Sequence, residues 1–503
     1  MTPPSRAPAA SVTASGMRAI ERAAMDAGTT EAVLMEHAGR NLGHAIARFF
    51  PTPGCAVAYP GKGHNGGDAL IALRVLRDDY GWQVRLRLAV AEPQMAPLAR
   101  AQLAAHRETP AFAAHDPALR HPFVLLDGLL GIGGDGSPLR GPLAEAAAEM
   151  HALRETRGAA TAAVDVPSGM DADTGTFPEN GVRADVTFTI GAVKRGLLEP
   201  AAANAAGSIA LVAVPELTAP PGPGPVMICP QHPCAELHPR PYDFHKGMAG
   251  RVAILAGSEA YSGAAVLCAG GALAGGAGLV TLHVPRAIHA LVAARCAAEI
   301  IVRPFDSLQE IQDHPADAWI VGCGLGPDWG EELVSFITTC RSAPMVVDAD
   351  ALNTLARHHA MAGLGANHLL TPHPGEFRRI APDLATRPPL AAAAAWPAQS
   401  PAALLLKGCR TVIAGKNLGP FVNATGHPGM ATAGQGDVLA GVAGALLAAG
   451  HPVPSAAVLA AWLCGRAAER AIHPGGASAE SLRAGLVIDH LGGAFHDWRQ
   501  ATR

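Results

Sequence analysis

The amino-acid sequence predicts an α/β fold in two domains, and three observations support this prediction. The chain has 503 residues, too many for one ordinary domain and suitable for two large ones. Short β-rich runs alternate with long amphipathic stretches in both halves, a pattern typical of βαβ units and parallel sheets. A proline-rich stretch at 215–240 has no helical or strand periodicity. We therefore predict domains at 1–218 and 241–503, joined by a linker at 219–240.

The predicted elements follow from hydrophobic periodicity. In the first half we predict strands at 55–59, 84–90, 123–127, 162–166, 186–190 and 209–214, with helices at 16–48, 67–80, 94–107 and 138–155. In the second half we predict strands at 251–256, 279–284, 318–322, 345–348, 403–407 and 411–414, with helices at 437–449 and 455–472. The two halves do not align with each other, which indicates two different domains rather than a repeat.

Composition limits the classes of function. With 38 basic and 42 acidic residues the net charge is −4, which argues against a nucleic-acid-binding protein. The nine cysteines are scattered without a C-x-x-C pair, as in proteins of a reducing compartment. The two most apolar stretches, 252–282 and 438–464, are interrupted by polar residues and prolines, and the first residues lack the apolar core of a signal peptide. We expect a cytoplasmic protein without membrane or nucleic-acid partners.

Polar residues of the first half follow predicted strands. Gly61, Gly63 and Gly66 match G-x-G-x-x-G between a strand and a helix, a turn that lets backbone N–H groups approach a phosphate. This motif alone leaves a dinucleotide site of the Rossmann type as one interpretation. Asn65, Asp127 and Ser168 offer oxygen ligands from neighbouring strand ends, a set that suits a large monovalent cation better than zinc. Helix capping is the structural alternative for such aspartates.

The most informative motif of the second half is the run 434–437, Gly-Gln-Gly-Asp, before a long apolar helix. Small residues at a helix start build an anion site from backbone N–H groups. The carboxylate of Asp437 would repel a phosphate there unless it acts as a general base toward a hydroxyl that attacks the phosphoryl group. No G-x-x-x-x-G-K-[ST] sequence is present, so the chain is not a P-loop enzyme.

The first half resembles the NAD(P)H-hydrate epimerases through LMEHAGR (34–40), GKGHNGGDA (61–69), DGLLGIGGDGSPLRG (127–141), VDVPSGMDADTG (164–175) and GAVKRGL (191–197). The resemblance implies a Rossmann-like α/β/α sandwich and a potassium ion held by Asn65, Asp127 and Ser168. It implies that Asp165 is the catalytic acid/base. The residues that the resemblance assigns to the hydrated nucleotide are His64, Asn65, Gly66, Gly67, Asp68, Gly131, Ile132, Gly133, Gly134, Asp135, Gly136, Ser137 and Asp165. His64 departs from the family, which usually has asparagine at this position.

The second half is similar to the ADP-dependent NAD(P)H-hydrate dehydratases of the ribokinase-like fold through HKGMAG, GSEAYSGAA, TPHPGE, KGCRT and PGMATAGQGDVLAG. The resemblance implies that ADP, with Mg²⁺, phosphorylates the hydroxyl of the S-hydrate and that phosphate then leaves to restore NAD(P)H, with Asp437 as the catalytic base. The residues assigned to the adenine nucleotide are Lys407, Gly408, Cys409, Arg410, Thr411 and Gly436, and those assigned to the hydrate are Ala264, Gly324 and His373, with Gly322 or Gly326 as alternatives to Gly324. Gln435 stands where the family usually has threonine.

Taken together, the two resemblances imply a bifunctional repair enzyme for hydrated NADH and NADPH (NADHX and NADPHX), for which we expect a homo-oligomer. Four alternatives stay open. They are a small-molecule kinase of the ribokinase-like class, a first domain that serves as a scaffold without catalysis, a hydrolase in which Ser168 is the nucleophile, and a zinc site at Cys229, His232, Cys234 and His238. The sequence does not decide between NADHX and NADPHX or between ADP and ATP.

Overall fold

Two sheets with helices on both faces form the frame on which the predicted motifs lie. The computed structural model describes residues 10–114, 118–219, 222, 224–230, 236–237, 239–340, 343–416, 418–473 and 475–501. The chain divides into two units, Ala7–Met227 and Ile228–Arg503. The division lies inside the predicted linker, while the predicted domain limits at 218 and 240 stay predictions. The α/β class in two domains is confirmed.

The first unit contains a fully parallel sheet in the order β2-β1-β3-β4-β5-β6. Its strands are β1 (Cys55–Pro60), β2 (Gln83–Leu86), β3 (Phe123–Gly128), β4 (Ala160–Val164), β5 (Val186–Ile190) and β6 (Ser208–Val212), and Val226–Met227 form a two-residue strand, β7. Its helices are α1 (Ala14–Asp26), α2 (Glu31–Phe49), α3 (His64–Tyr80), α4 (Pro97–Leu103), α5 (Pro142–Arg157) and α6 (Ala203–Ala206).

Alternate residues of the central strands face two different cores. Ala56 and Ala58 of β1 belong to a core with residues of α2 and α3 such as Leu42 and Leu70. Their neighbours Cys55, Val57 and Tyr59 belong to a second core with Met150 and Leu153 of α5. Because successive side chains of a strand point to opposite faces, this alternation covers the sheet on both sides and gives the predicted α/β/α sandwich.

The predicted helix 16–48 is wrong as a single element. The chain leaves the helical conformation at Gly28, where φ is +103°, and Thr30 then starts α2 with its hydroxyl accepting a hydrogen bond from the N–H of Val33. A left-handed glycine followed by a threonine cap ends one helix and begins the next. The predicted strand 84–90 is also shorter, since β2 ends at Leu86.

The second unit contains a mixed sheet in which β8–β16 follow the order β10-β9-β8-β11-β12-β13-β14-β15-β16. Pairs from β10 to β14 are parallel, and β14, β15 and β16 are antiparallel. The strands are β8 (Arg251–Leu255), β9 (Leu279–Pro285), β10 (Ile300–Phe305), β11 (Ala318–Val321), β12 (Met345–Val347), β13 (His368–Leu370), β14 (Ala403–Leu406), β15 (Thr411–Gly415) and β16 (Leu418–Asn423). The helices are α7 (Ser262–Ala274), α8 (His289–Ala293), α9 (Gly330–Thr339), α10 (Ala349–Arg357), α11 (Pro374–Ile380), α12 (Pro389–Ala395), α13 (Gln435–Ala448), α14 (Val453–Ile472) and α15 (Ala484–Ala501). The different strand order and the antiparallel edge explain why the two halves do not align.

Helix α13 is packed so closely that its glycines determine the spacing. A Cβ atom on Gly441 would overlap the backbone carbonyl oxygen of Cys268 in α7, and one on Gly444 would overlap the side chain of Ile320 in β11. Both glycines are buried in the middle of the helix, where glycine is otherwise unfavourable. The close approach of α7 and of the sheet to α13 therefore requires them.

We expect Gly441→Ala to destabilise the second unit by roughly 1–3 kcal/mol through overpacking. Gly492→Ala is the matched control, because a Cβ atom on Gly492, a helical glycine of α15, would meet no atom within 4 Å. Replacing Gly492 by alanine should stabilise the same unit by about 1 kcal/mol, because alanine has the higher helix propensity. Calorimetric unfolding of the two variants should show midpoints that move in opposite directions. A Gly441→Ala midpoint at or above that of the wild type would contradict this account of the packing.

Candidate active sites

The loop between β1 and α3 is built around glycine backbone. A Cβ atom on Gly61 would overlap the carbonyl oxygen of Leu129, and one on Gly66 would overlap the carbonyl oxygen of Gly61. Gly63 caps α3 without a side-chain hydrogen bond, so the first N–H groups of the helix have no side-chain cap. Close backbone packing therefore requires glycine at positions 61 and 66 of the predicted G-x-G-x-x-G turn, whereas a Cβ atom on Gly63 would meet no atom within 4 Å.

A cavity of about 290 Å³ opens beside this loop, at the carboxyl ends of β1, β3, β4 and β5. Parallel α/β sheets bind ligands at this edge. The predicted site residues that line the cavity are His64, Asn65, Asp68, Gly131, Ile132, Gly133 and Asp165. The lining residues that the sequence analysis did not assign include Glu21, Glu31, Lys62, Ile190 and Lys194.

Asp165 lies directly after β4 with a positive φ of 68°, a strained conformation for a residue other than glycine. Its carboxylate is ion-paired with Lys194, whose side chain is 1% exposed. The same carboxylate accepts a hydrogen bond from the N–H of Ile190 at 2.9 Å, and Lys194 also donates to the carbonyl of Ile190 at 2.8 Å. The ion pair and these hydrogen bonds hold the Asp165 carboxylate at the cavity wall.

Two further carboxyl groups face this ion pair. Burial, followed by the negative charge of Asp165, raises the pKa of Asp68 well above its ordinary value. Burial also raises the pKa of Glu21, and Lys194 opposes this shift. Oδ1 of Asp68 is buried without a hydrogen-bond partner among the described residues. The cavity therefore combines an ion-paired carboxylate with a buried carboxyl group that favours its neutral form.

The three predicted potassium ligands meet around the backbone of Leu130. Asn65 donates to the carbonyl of Leu130 at 2.8 Å, and the hydroxyl of Ser168 accepts from the N–H of Leu130 at 2.8 Å. Ser168 also donates to Asp127 at 2.6 Å. Burial raises the pKa of Asp127 to about 6, although its hydrogen bonds from Ser168 and Leu129 act in the opposite direction. Asp127 is fully buried and has no basic side chain paired with it in the described part of the chain.

The predicted hydrated-nucleotide residues separate into two groups. His64 lies at the cavity rim, with its side chain 60% exposed and 2.9 Å from Glu31. Gly131–Gly133 line the cavity, but the rest of the loop leaves it, since Gly134 packs against Met170 and Gly136 against Thr176. Along this second part, the side chain of Asp135 accepts a hydrogen bond from the N–H of Ser137 at 3.0 Å. Gly66 and Gly67 are buried in the first turn of α3.

In the second unit, α13 begins with Gly434 in the left-handed conformation, with φ at +91°. Asp437 is the third helical residue. Burial and then the nearby charge of Asp348 raise the pKa of Asp437 to about 7, while a hydrogen bond with Cys323 and the charge of Lys407 act in the opposite direction. A carboxyl group with a pKa near neutrality is suited to accept and release a proton.

A lysine at the end of β14 lies beside this carboxyl group. Nζ of Lys407 donates to Asp348, at the end of β12, at 2.9 Å. Burial lowers the pKa of Lys407, but the charges of Asp348 and Glu376 outweigh burial, so the pKa is raised and the ammonium persists. A Cβ atom on Gly436 would lie 3.2 Å from this ammonium. Lys407, Gly436 and Asp437 are therefore adjacent, although they are far apart in the sequence.

His373 caps α11 in a reciprocal arrangement with Glu376. Nδ1 of His373 accepts from the N–H of Gly375 at 2.9 Å, and Glu376 accepts from the N–H of His373 at 2.8 Å. Because Nδ1 is an acceptor, the neutral ring carries its proton on Nε2. Burial raises the pKa of Glu376, and Lys407 opposes that shift. His373 is thus connected to Lys407 through a buried carboxyl group.

Gly324 adopts a left-handed conformation with φ at +61°, and a Cβ atom on it would lie 2.7 Å from Cβ of Ala264. These two predicted hydrate residues are therefore neighbours. Gly322 instead packs against the backbone of Asp348, and the N–H of Gly326 donates to Asp350 at 2.8 Å. Of the three alternatives, Gly324 is the one in contact with Ala264.

The predicted nucleotide residues of 407–411 form the turn between β14 and β15. Thr411 stabilises the turn by donating to the carbonyl of Gly408 at 3.1 Å. Cys409 is exposed at the tip, and Arg410 is buried, which lowers its pKa to about 10. The turn therefore exposes its glycine and cysteine, while the arginine packs inward.

The sequence analysis missed the partners of the two lysines. Glu376 lies inside TPHPGE and Lys194 lies inside GAVKRGL, but no local signal predicts which acidic and basic residues meet. Glu21 lies on α1, outside any motif. The described residues contain no group of three or more His, Cys, Asp or Glu suited to a metal ion. Of the alternative zinc cluster only Cys229 is described, while His232, Cys234 and His238 lie outside the described residues.

Each unit gathers carboxyl groups, a lysine and glycine backbone at the carboxyl edge of a parallel sheet, as α/β enzymes that act on small molecules do. A family model described as NAD(P)H-hydrate dehydratase matches residues 252–488, and one described as YjeF-related protein N-terminus matches residues 31–196. No described helix combines the length and the apolar character needed to cross a membrane.

The bifunctional NAD(P)H-hydrate repair enzyme Nnr of Gloeobacter violaceus is 36% identical over 95% of this chain and 97% of that protein. The enzyme of the same name from Moorella thermoacetica is 33% identical over 91% of both chains. The solved ADP/ATP-dependent NAD(P)H-hydrate dehydratase of Bacillus subtilis is 26% identical, covering 54% of this chain and 98% of that one, with a TM-score of 0.45. The chain belongs to the family of bifunctional NAD(P)H-hydrate repair enzymes. This membership confirms the predicted function of nucleotide repair by an enzyme with an epimerase and a dehydratase domain.

The raised pKa of Asp437 implies that the stability of the folded protein depends on pH. An unfolded aspartate ionises near its ordinary value of 3.8, whereas the folded one ionises near 7, so ionisation opposes folding progressively between these pH values. Asp437→Asn removes the free-energy cost of ionising this buried carboxyl group. We expect the variant to unfold at a higher temperature than the wild type at pH 8, with the difference vanishing below about pH 4.

Asp306→Asn is the control, because Asp306 forms an exposed ion pair with Arg286 in the same unit. Its unfolding midpoint should change little at either pH, since exposed ion pairs contribute about 0–1 kcal/mol. Unfolding followed by calorimetry at several pH values makes the comparison. A stabilisation by Asp437→Asn that does not depend on pH would show that burial does not raise the pKa of this carboxyl group.

Proposed function

We propose that the first domain epimerises the C6 hydroxyl of hydrated NADH and NADPH and that the second domain removes that hydroxyl from the S-epimer at the expense of ADP. One observation carries the proposal for both domains. Each site has a buried carboxyl group of raised pKa at the start of a helix, close to a lysine that is ion-paired with another aspartate. Such a carboxyl group is suited to proton transfer at a hydroxyl group.

For the dehydratase we propose that Asp437 accepts the proton of the C6 hydroxyl. The hydroxyl oxygen then forms a bond to the β-phosphorus of ADP, and the bond from that phosphorus to the AMP oxygen breaks. The C6–O bond of the phosphorylated hydrate breaks next, so phosphate leaves and loss of a proton from C5 restores the double bond of NAD(P)H. The pKa of Asp437 near 7 supports its role as the base.

The nucleotide site that we propose lies between the turn 407–411 and the start of α13. Lys407 offers a compact ammonium charge for phosphate oxygens, and the N–H groups at the start of α13 add backbone donors beside Gly436. Ala264, Gly324 and His373 would contact the hydrate. Mg²⁺ would enter with ADP and neutralise phosphate charge during the transfer.

For the epimerase we propose that Asp165 is the acid/base and that Asn65, Asp127 and Ser168 hold potassium. The chemistry of the donor set fits a potassium ion, because the Asn65 amide and the Ser168 hydroxyl both contact the carbonyl of Leu130, and the same hydroxyl contacts the carboxylate of Asp127. The buried charge of Asp127, which has no basic partner among the described residues, also favours a cation. A bound potassium ion would supply positive charge and fix the loop that lines the cavity.

The partners that we propose are small molecules, namely NADHX, NADPHX and ADP. The nearly balanced charge supports the expectation that nucleic acid is not a partner. The absence of a disulfide between described cysteines supports a reducing compartment such as the cytoplasm. A homo-oligomer stays a prediction.

Asp437→Asn should abolish dehydration of the S-hydrate and leave epimerisation of the R-hydrate intact, because Asp437 lies in the second unit alone. In the wild type, kcat/KM of dehydration should rise with pH through about 7, as Asp437 loses its proton. Absorbance of the reduced nicotinamide follows dehydration, and chromatography follows the epimers. Asp306→Asn should keep both activities. Equal loss of both activities in Asp437→Asn would contradict the separation of the sites.

A mixture of both epimers with ADP, Mg²⁺ and K⁺ should be converted completely to NADH by the wild type. Asp127→Asn should convert the S-epimer at the normal rate and the R-epimer far more slowly, since a neutral amide holds potassium less well. Asp79→Asn is the control, because Asp79 pairs with Arg40 at the surface of the same unit. Replacing K⁺ by tetramethylammonium should slow the wild type in the same way. Recovery of the S-epimer alone by the wild type would overturn the epimerase assignment.

A further inference from the structure

Two carboxyl groups of the epimerase cavity have opposite surroundings. The carboxylate of Asp165 receives the ammonium of Lys194, the N–H of Ile190 and, at 3.4 Å, the hydroxyl of Thr189. All three groups donate to the same oxygen, Oδ1, which must therefore act as an acceptor. The geometry thus holds this oxygen of Asp165 as a hydrogen-bond acceptor in the absence of substrate.

Asp68 has the reverse environment. Its side chain lines the same cavity from the first turns of α3, and its Oδ1 is buried without a hydrogen-bond partner among the described residues. A buried ionised carboxylate without donors is costly, so the neutral form is favoured. A buried polar atom without a partner in a cavity is also consistent with a catalytic role.

The charges around Asp68 agree with this assignment. The titratable groups that line the cavity with Asp68 are Glu21 from α1, Glu31 from α2, Lys62 and His64 from the start of α3, Asp165 after β4 and Lys194 after β5. Burial is the largest influence on the pKa of Asp68, and the charges of Asp165 and Glu21 add to it, whereas Lys194 opposes it. Since Lys194 is ion-paired with Asp165, its charge is already partly neutralised.

Epimerisation at C6 requires a bond to that carbon to break and to form again on the other face. The C6 carbon of the hydrate carries both a hydroxyl group and the ring nitrogen, so loss of the hydroxyl leaves a cation that the nitrogen lone pair stabilises. The departing oxygen needs a proton, and the water that returns must lose one. An acid and a base on the two sides of the ring meet these needs.

We propose that Asp68 is the second catalytic residue of the epimerase, the acid that protonates the departing C6 hydroxyl, while Asp165 accepts a proton from the water that adds to the opposite face. In this step the C6–O bond breaks, the proton of Asp68 leaves with water and a new C6–O bond forms. Asp165 gains the proton that the new water loses. The reverse reaction exchanges the two roles. This inference rests on the epimerase function proposed for the same cavity.

The first test compares Asp68→Asn with the wild type in the full-length chain. We expect kcat of epimerisation to fall by about 10²- to 10⁴-fold with a much smaller change of KM. In the wild type, kcat/KM should fall at high pH, where Asp68 is ionised. Asp68→Asn should lose the fall at high pH. If Asp68 only bound the nucleotide, Asp68→Asn would change KM and leave the pH profile unaltered. That result would overturn the assignment.

Dehydration of the S-hydrate in the same chain shows whether each variant is folded and intact. Asp78→Asn is the matched control on α3, because Asp78 is exposed and pairs with Arg77. It should epimerise like the wild type. If the wild type itself fails to epimerise, the proposed function is wrong. If the wild type epimerises and Asp68→Asn retains its kcat, only the present inference is wrong.

A second test identifies the bond that breaks. In water labelled with ¹⁸O, the epimer that forms should carry solvent oxygen at C6 after a single turnover, because the original hydroxyl leaves as water. Mass spectrometry of the product measures the label. An unlabelled product would mean that the ring C–N bond opens instead, and this result would overturn the role of Asp68 as the acid of the departing hydroxyl.

Discussion

An ion pair between a buried lysine and an aspartate at a strand end is the interaction on which each candidate site depends. In the first unit Lys194 follows β5 and pairs with Asp165 after β4, and in the second unit Lys407 follows β14 and pairs with Asp348 after β12. A buried charge is costly unless it is paired and hydrogen-bonded, so each pair constrains the loops that carry it. Because each lysine is engaged by its own aspartate, the next carboxyl group, Asp68 or Asp437, is left without a full counter-charge. Burial is the largest cause of the raised pKa of Asp68 and of Asp437, and the aspartate of the neighbouring ion pair raises each pKa further.

Glycine supplies the second constraint, since these loops must approach one another more closely than a side chain allows. Gly61 lies against the carbonyl of Leu129 beside the first cavity, and Gly322 lies against the carbonyl of Asp348 in the second site. Both contacts hold an aspartate-bearing strand end against a neighbouring loop. These two glycines therefore have a packing role that does not depend on phosphate binding. They also position the carboxyl groups that the proposed chemistry needs.

The α/β class and the location of the sites at strand ends were predictable, because both follow from local patterns of hydrophobic runs and turn residues. The pairing of residues that are distant in the sequence was not predictable. Asp165 and Lys194 were each found inside a motif, yet they are 29 residues apart, and Asp348 and Lys407 are 59 residues apart. Such pairs are set by the order of strands in the sheet, which periodicity does not reveal. The single helix predicted at 16–48 fails for a local reason, a glycine at position 28 that periodicity overlooks.

The two departures from the family motifs differ in kind. His64 stands at the rim of the first cavity, exposed and beside Glu31, where a change of side chain alters a surface contact and the charge that acts on Glu21. Gln435 is the first residue of α13, and both polar atoms of its amide are buried without a partner among the described residues. Such an amide is unfavourable unless a ligand satisfies it. In the nucleotide site that we propose, the Gln435 substitution would therefore affect binding directly, whereas the His64 substitution lies at the rim of the first cavity.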